Sequence, residues 1–219
     1  MSIFKVYQKH STLKKLFYPL LMTLWLGMSV ALLSQNTKII RNDLTFRMEF
    51  EALKSDTSVR NGYYRLFYKD KIIERGQYVS GKRAGLWRFY NLKGVFDYEY
   101  DFETRRVTQM SGEWDVNIET PCLFLGSPFI PYHFLRSINY PQEAYDMNLK
   151  GKVVLTLKIN KEGKMWSYYL SEKTHPLLDA EVMRVMDTMP KSWEWVPATR
   201  FGQPIDSEYV ITIYFDGDE

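Results

Sequence analysis

The chain has 219 residues, 45% of them hydrophobic and 25% charged, a balance that fits one or two small folded domains and excludes a disordered or collagen-like chain. The formal charge of +3 is misleading, because residues 1–34 hold Lys5, Lys9, Lys14 and Lys15 with no acid. The rest is close to neutral and gives no electrostatic reason to expect nucleic acid as a partner.

The basic start is followed by an uncharged run from Leu16 to Thr37 that is apolar as far as Leu33. A positive flank ahead of an apolar stretch reads as an export signal, with the lysines held in the cytoplasm and everything later delivered outside. Two outcomes stay open. The stretch is nearly long enough to span a bilayer, while Ser29-Val30-Ala31 and Ser34-Gln35 offer small residues for cleavage. Residues 1–36 are thus expected to be a signal peptide or a single inner-membrane anchor.

Residues 40–118 form a second region. Leu44 to Glu51 alternates as a strand. Gly62-Tyr63-Tyr64-Arg65-Leu66-Phe67 then aligns with Gly85-Leu86-Trp87-Arg88-Phe89-Tyr90, and Tyr78 aligns with Tyr100. A repeat of about 23 residues suggests stacked supersecondary units. Each unit reads as a hairpin, with turns at Lys69-Asp70-Lys71 and Ser80-Gly81-Lys82. The acids Asp97, Glu99, Asp101 and Glu103 alternate with apolar residues and are expected to face solvent. The run Tyr78-Val79-Ser80-Gly81-Lys82-Arg83-Ala84-Gly85-Leu86-Trp87-Arg88-Phe89-Tyr90 resembles the MORN-like repeats of bacterial exported proteins. That resemblance implies a β-meander and an interaction surface, and no chemistry.

The third region, 120–219, is mixed. Its basic and acidic residues change balance, with 9 and 13 over residues 140–219 against 16 and 13 over residues 35–139. Tyr140-Pro141 precedes a short helical stretch, Gln142 to Met147. Lys152 to Ile159 is a strand with Val153, Leu155, Leu157 and Ile159 on one face. Asn160-Lys161-Glu162-Gly163 is a hairpin loop, and Met165 to Ser171 returns. Leu178, Val182, Val185, Met186 and Met189 form the apolar stripe of a helix near 177–189, opened by Pro176 and closed by Pro190. Glu208 to Phe215 is a last strand, with Tyr209, Ile211, Ile213 and Phe215 on one face.

Residue types for chemistry are scarce. Cys122, the single cysteine, excludes an intrachain disulfide and reads as a small half-buried apolar residue. His133 and His175 lack further ligands at metal spacing and read as surface or helix-start residues. Trp193 and Trp195 read as packing. No enzymatic activity, cofactor or metal is expected.

Tyr140-Pro141, Gly151-Lys152-Val153, Glu162-Gly163-Lys164, Leu178-Asp179, Trp195-Val196-Pro197-Ala198, Gly202-Gln203-Pro204 and Tyr209-Val210-Ile211-Thr212-Ile213 occur in the order seen in TonB C-terminal domains. The resemblance covers about residues 120–216 and implies an α+β fold, a small antiparallel sheet packed on a helix, here preceded by the β-meander of MORN-like hairpins. It implies capture of an extended peptide of an outer-membrane transporter by β-augmentation. The residues carried over are Tyr209, Val210, Ile211, Thr212, Ile213, Tyr214 and Phe215 of the last strand, with Ser137, Ile138, Asn139 and Tyr140 ahead of the first helix. The expected setting is the periplasm or cell envelope. If the anchor is retained, inner-membrane proton-channel subunits are further expected partners. The chain departs from the family in lacking a long Pro-rich linker. The alternative is therefore a periplasmic scaffold whose MORN-like repeats bind a protein without transducing energy.

Overall fold

A computed structural model describes residues 35–43, 45–91 and 93–216. Residues 1–34 of the expected leader lie outside the described residues, as does Leu44, whereas Gln35 and Asn36 are described and Asn36 opens the first strand. No helix among the described residues is long and apolar enough to cross a membrane.

Seven strands, β1 (Asn36–Asn42), β2 (Phe46–Leu53), β3 (Arg60–Tyr68), β4 (Lys71–Val79), β5 (Lys82–Tyr90), β6 (Phe96–Asp101) and β7 (Arg106–Met110), pair antiparallel in chain order as one meander. Local turn chemistry dictates this. Lys69 and Asp70 have φ of 44° and 63°, and Ser80 and Gly81 have 49° and 81°. Two consecutive positive φ values make the two-residue turn whose twist matches that of the flanking strands. Alternation then sends one set of side chains inward: Phe50, Tyr64, Leu66, Trp87, Phe89 and Tyr98 are all buried. Trp87 is central. Its ring lies 5.2 Å from that of Tyr78 and 5.4 Å from that of Tyr64, and its indole N–H donates to the Gln77 carbonyl at 3.1 Å. The ring sits over Gly76, where an added Cβ would stand 2.3 Å from it.

A bare aromatic sheet face needs a cover. It is supplied by the chain after β7, which forms β8 (Glu119–Thr120), β9 (Leu123–Phe124) and α1 (Phe129–Leu135). Phe129 joins the meander core, with Leu123, Leu125 and Ile130 packed around it. The polar counterpart of this cover is a buried knot at Phe124–Ser127. The Glu74 carboxylate, 1% exposed, accepts from the Ser127 N–H at 2.8 Å and from the Arg83 guanidinium at 3.2 Å. Arg83 also donates to the Leu125 carbonyl at 3.1 Å. The Tyr98 hydroxyl donates to the Phe124 carbonyl and accepts from the Gly126 N–H at 3.1 Å. Ser127 Oγ donates to the Tyr90 carbonyl at 2.7 Å. A Cβ on Gly126 would stand 2.8 Å from Glu74 Oε1, so only glycine lets the loop close on that carboxylate.

Downstream come α2 (Gln142–Asp146), β10 (Gly151–Ile159), β11 (Met165–Glu172), α3 (Pro176–Met186), β12 (Trp195–Val196), β13 (Thr199–Arg200), β14 (Gln203–Pro204) and β15 (Ser207–Phe215). The helices stop short of the predicted ends, α2 at Asp146 and α3 at Met186. Met189 follows as part of a turn bonded to the Met186 carbonyl. Pro176 stands in the first turn of α3, and the His175 ring caps that turn by accepting from the Leu177 N–H at 3.3 Å. β10 is central in the sheet β11-β10-β15. Val153, Leu155, Leu157 and Ile159 meet Leu178, Val182 and Met186 of α3 in a second core. β12 pairs with β9, and β13 pairs with β8 and β14, so residues 119–124 are held by the C-terminal part while Phe129 serves the meander.

Two expectations differ from what is observed. Glu99 does not face solvent freely: it is 7% exposed, enclosed by Arg88 at 2.6 Å and Thr108 Oγ1 at 2.8 Å. Neighbouring strands supply those partners, which one strand's alternation cannot reveal. His133 is half-buried, with its ring 5.9 Å from Phe129 and 5.4 Å from Phe46. Trp195 is 4% exposed and packs against Trp193 and Phe124.

Candidate partner-binding site

β15 alternates without exception: Tyr209, Ile211 and Ile213 are half-buried and Phe215 is buried, while Glu208, Val210, Thr212 and Tyr214 are exposed. The odd-numbered residues pack in the core beneath α3. Burial pushes the Tyr209 hydroxyl up to about 12. β15 pairs with β10 from Gly151↔Phe215 to Ile159↔Ser207 without a register shift, and it has no second neighbour among the described strands.

Which backbone groups face outward follows from two bonds of β10 and one of Asn160, the residue after it. The Lys152 carbonyl accepts from Thr174 Oγ1 at 2.5 Å and the Val154 carbonyl from Ser171 Oγ at 3.3 Å. The Asn160 N–H donates to the Lys164 carbonyl at 3.0 Å. Even-numbered residues of β10 therefore turn their backbone groups toward β11, and odd-numbered ones toward β15. In an antiparallel ladder both groups of a residue point the same way. By the register, Tyr209, Ile211 and Ile213 bond to β10. Glu208, Val210, Thr212 and Tyr214 hold their N–H and C=O out along the free edge, where none has a partner among the described residues.

The sheet's other edge, β11, carries two register irregularities against β10, and bulges spoil a strand as a template. In the meander, edge strand β1 carries Lys38 and Arg41, and edge strand β7 has only five residues. Edge strands are commonly guarded by lysine, proline, bulges or shortness. β15 has none of these over its nine residues.

Of the segment 137–140, Tyr140 reaches this strand. The Tyr140 ring is 5.7 Å from that of Phe215, edge to face, and its hydroxyl donates to the Leu149 carbonyl. Ile138 packs into the same core. Ser137 and Asn139 are exposed and tied to α3. The Asn139 N–H donates to Glu181 at 2.8 Å, and Arg184 donates to the Ser137 carbonyl at 3.3 Å. The Glu181–Arg184 pair, at 2.7 Å, holds the Glu181 carboxyl below its ordinary value. Sequence reasoning missed Glu181 and Arg184 as the clamp on this segment; their spacing on one helical turn was the available signal.

Residues 136–216 match the family model of the Gram-negative bacterial TonB protein C-terminal. Neither curated proteins nor solved structures gave a match. The meander lies outside the matched residues. β10, β11, α3 and β15 lie wholly within them, so the free edge lies in the part of the chain that is similar to that family. Among the described residues, no three His, Cys, Asp or Glu side chains are gathered to hold a metal.

Proposed function

We propose that this chain is an exported, non-enzymatic envelope protein that captures an extended segment of a partner, of the kind an outer-membrane transporter presents, along the outer edge of β15. The observation that carries this reading is the regular, unguarded nine-residue edge of β15, supported by the match of residues 136–216 to the TonB C-terminal family model. Glu208, Val210, Thr212 and Tyr214 offer backbone donors and acceptors, and the incoming strand obtains its affinity from them. Ser137 to Tyr140 lead to the end of that strand, which Tyr140 reaches. Residues 1–36 deliver the chain across the inner membrane. A retained anchor would add inner-membrane proton-channel subunits as partners.

The second reading, a scaffold whose MORN-like hairpins bind a protein without energy transduction, is favoured by one observation. The meander occupies the place of a linker and is fastened to the following chain through Glu74, Arg83 and Ser127.

The test uses a panel of synthetic peptides from the N-terminal periplasmic segments of outer-membrane transporters of the same genome, read by fluorescence anisotropy. Thr212→Pro removes an outward donor and leaves the β10 ladder intact, so it should keep the circular dichroism spectrum and lose binding. Ile213→Pro should disrupt the ladder itself, and Thr212→Val should bind as the parent does. Binding that survives Thr212→Pro in a folded protein would remove β15 as the docking strand.

A further inference from the structure

One face of the meander is covered by β8, β9 and α1. The opposite face is open, and the strand registers line up its charges. Glu49 stands opposite Arg65, Arg65 opposite Arg75, Arg75 opposite Arg88, and Arg88 opposite Glu99. Three arginines are thus consecutive across β3, β4 and β5, with a glutamate at each end. Adjacent strands are about 4.8 Å apart, so the three side chains rise within roughly 10 Å of one another.

The glutamates neutralise this row only in part. Glu99 is engaged by Arg88 and Thr108. Glu49 is engaged by Arg47 and by Lys38 at 3.7 Å. Arg65 and Arg75 are both exposed and form no salt bridge among the described residues. Arg65 lies against the Tyr63 ring at 5.6 Å and Arg75 against the Tyr90 ring at 5.7 Å, and Arg75 also feels the Glu99 charge without bonding to it. Like charges directly opposite each other on neighbouring strands destabilise a sheet, so the fold gains nothing by placing Arg75 between two other arginines. An anionic ligand removes that repulsion.

The surroundings indicate which anion. The row borders a shallow depression of about 550 Å³, lined by the three arginines with Gln77, Val79 and Leu86, and by Glu99 and Glu103 on the side of β6 away from Arg65. Val79 is 57% and Leu86 53% exposed. A phosphate or a lipid headgroup would occupy the guanidinium groups and leave these apolar side chains wet. An extended peptide that carries carboxylates at i and i+2 and aliphatic side chains at i+4 and i+6, all on the face it lays on the sheet, covers both. Its carboxylates, about 6.8 Å apart at positions i and i+2, fall within reach of two long arginines, each capable of a bidentate bond.

We propose that this open face docks an acidic, partly aliphatic peptide segment of a partner protein, gripped by Arg65 and Arg75. The site is independent of the β15 edge and stands whether or not that edge binds a transporter.

The experiment uses the full chain with the fluorescein-labelled peptides Glu-Ser-Glu-Ser-Leu-Ser-Leu-Ser and Gln-Ser-Gln-Ser-Leu-Ser-Leu-Ser, which carry Glu or Gln and Leu on one face of the extended chain, and with phosphatidylglycerol vesicles. The Glu peptide should bind, the Gln peptide should not, and binding should weaken with salt. Arg65→Gln with Arg75→Gln should weaken it about 10-fold or more, with the melting temperature unchanged or raised. Arg65→Lys with Arg75→Lys keeps the charge and loses the bidentate geometry, so it should fall between. Thr212→Pro should leave this binding unchanged. No binding of the Glu peptide, indifference to the double Gln variant, or preferential, arginine-dependent binding of the vesicles overturns the proposal. So does a lowered melting temperature in the double Gln variant, which would make the row structural.

Discussion

Removing the Glu74 carboxylate tests whether the buried knot at Phe124–Ser127 holds the cover on the meander. Burial pushes this carboxyl above its ordinary value, against the pull of Arg83 and the Ser127 N–H. The net worth of the ion pair is therefore modest, and the cost of breaking it comes from the partners left behind. In Glu74→Ala, Arg83 loses its one carboxylate and keeps neutral partners, the Leu125 carbonyl, the Tyr78 hydroxyl and the Trp87 ring face at 4.4 Å, and the Ser127 N–H, on a residue with no exposed surface, has no acceptor. Removing one partner of a buried pair costs about 3–5 kcal/mol. The Arg83 side chain retains 25% exposure, which relieves part of the penalty and indicates the lower end. The orphaned N–H adds about 1 kcal/mol. The expected loss is about 4 kcal/mol, a large share of the roughly 5–15 kcal/mol by which a domain is stable. Glu74→Gln keeps an acceptor for Ser127 and should lose about half as much. Urea denaturation gives the magnitude, and hydrogen exchange at Gly126 and Ser127 gives the location. A Glu74→Ala midpoint equal to that of the parent would refute the knot as the fastening.

Three further outcomes follow from single residues. Gly76→Ala places a Cβ 2.3 Å from the Trp87 ring and should cost about 1–3 kcal/mol in thermal or urea unfolding. Burial pushes the Cys122 thiol up to about 11 from 9.0, so at pH 8 its alkylation by iodoacetamide should be roughly 100-fold slower in the native chain than in urea. Glu99 is buried, yet the bonds from Arg88 and Thr108 hold its carboxyl below the ordinary value. Its stabilisation is present above the unfolded-state pKa of about 4.3 and is lost as pH falls through the lower native value. Glu99→Gln should flatten the acid limb of a stability–pH curve.

Much of the architecture was legible because single-strand periodicity reports it. Trp87 and Phe89, and Leu155 and Leu157, alternate with residues of the opposite face. Leu178, Val182, Val185 and Met186 fall on one helical stripe, and Ser80-Gly81 marks its turn by composition. The partners of Glu74 and Glu99 were not legible. Glu74 lies in a strand where an acid reads as solvent-facing, and one of its bonds reaches Ser127, a separation no local pattern spans. Similarly, alternation in β15 tells which side chains pack inward but not on which side β10 lies. The outward set Glu208, Val210, Thr212 and Tyr214 emerges only from the register. The arginine row has the same origin: Arg65, Arg75 and Arg88 are unremarkable in their own strands and become one feature only when the strands are set side by side.

The meander also bears on which mechanism the C-terminal domain can serve. From Asn36 to Met110 the chain holds about 75 residues. As an extended Pro-rich linker they would reach about 230 Å, at ~3.1 Å per residue. Folded into seven strands about 4.8 Å apart, they cover about 29 Å from β1 to β7. The buried knot and the pairing of β8 and β9 with β13 and β12 then join this sheet to the C-terminal domain without a free tether. The folded meander thus forgoes roughly 200 Å of reach. For β-augmentation on β15 the reach must come from the partner, whose binding segment has to be extended and flexible before capture. That requirement favours a chain that receives a mobile tail at a fixed place in the envelope over one that extends its own domain toward a distant transporter.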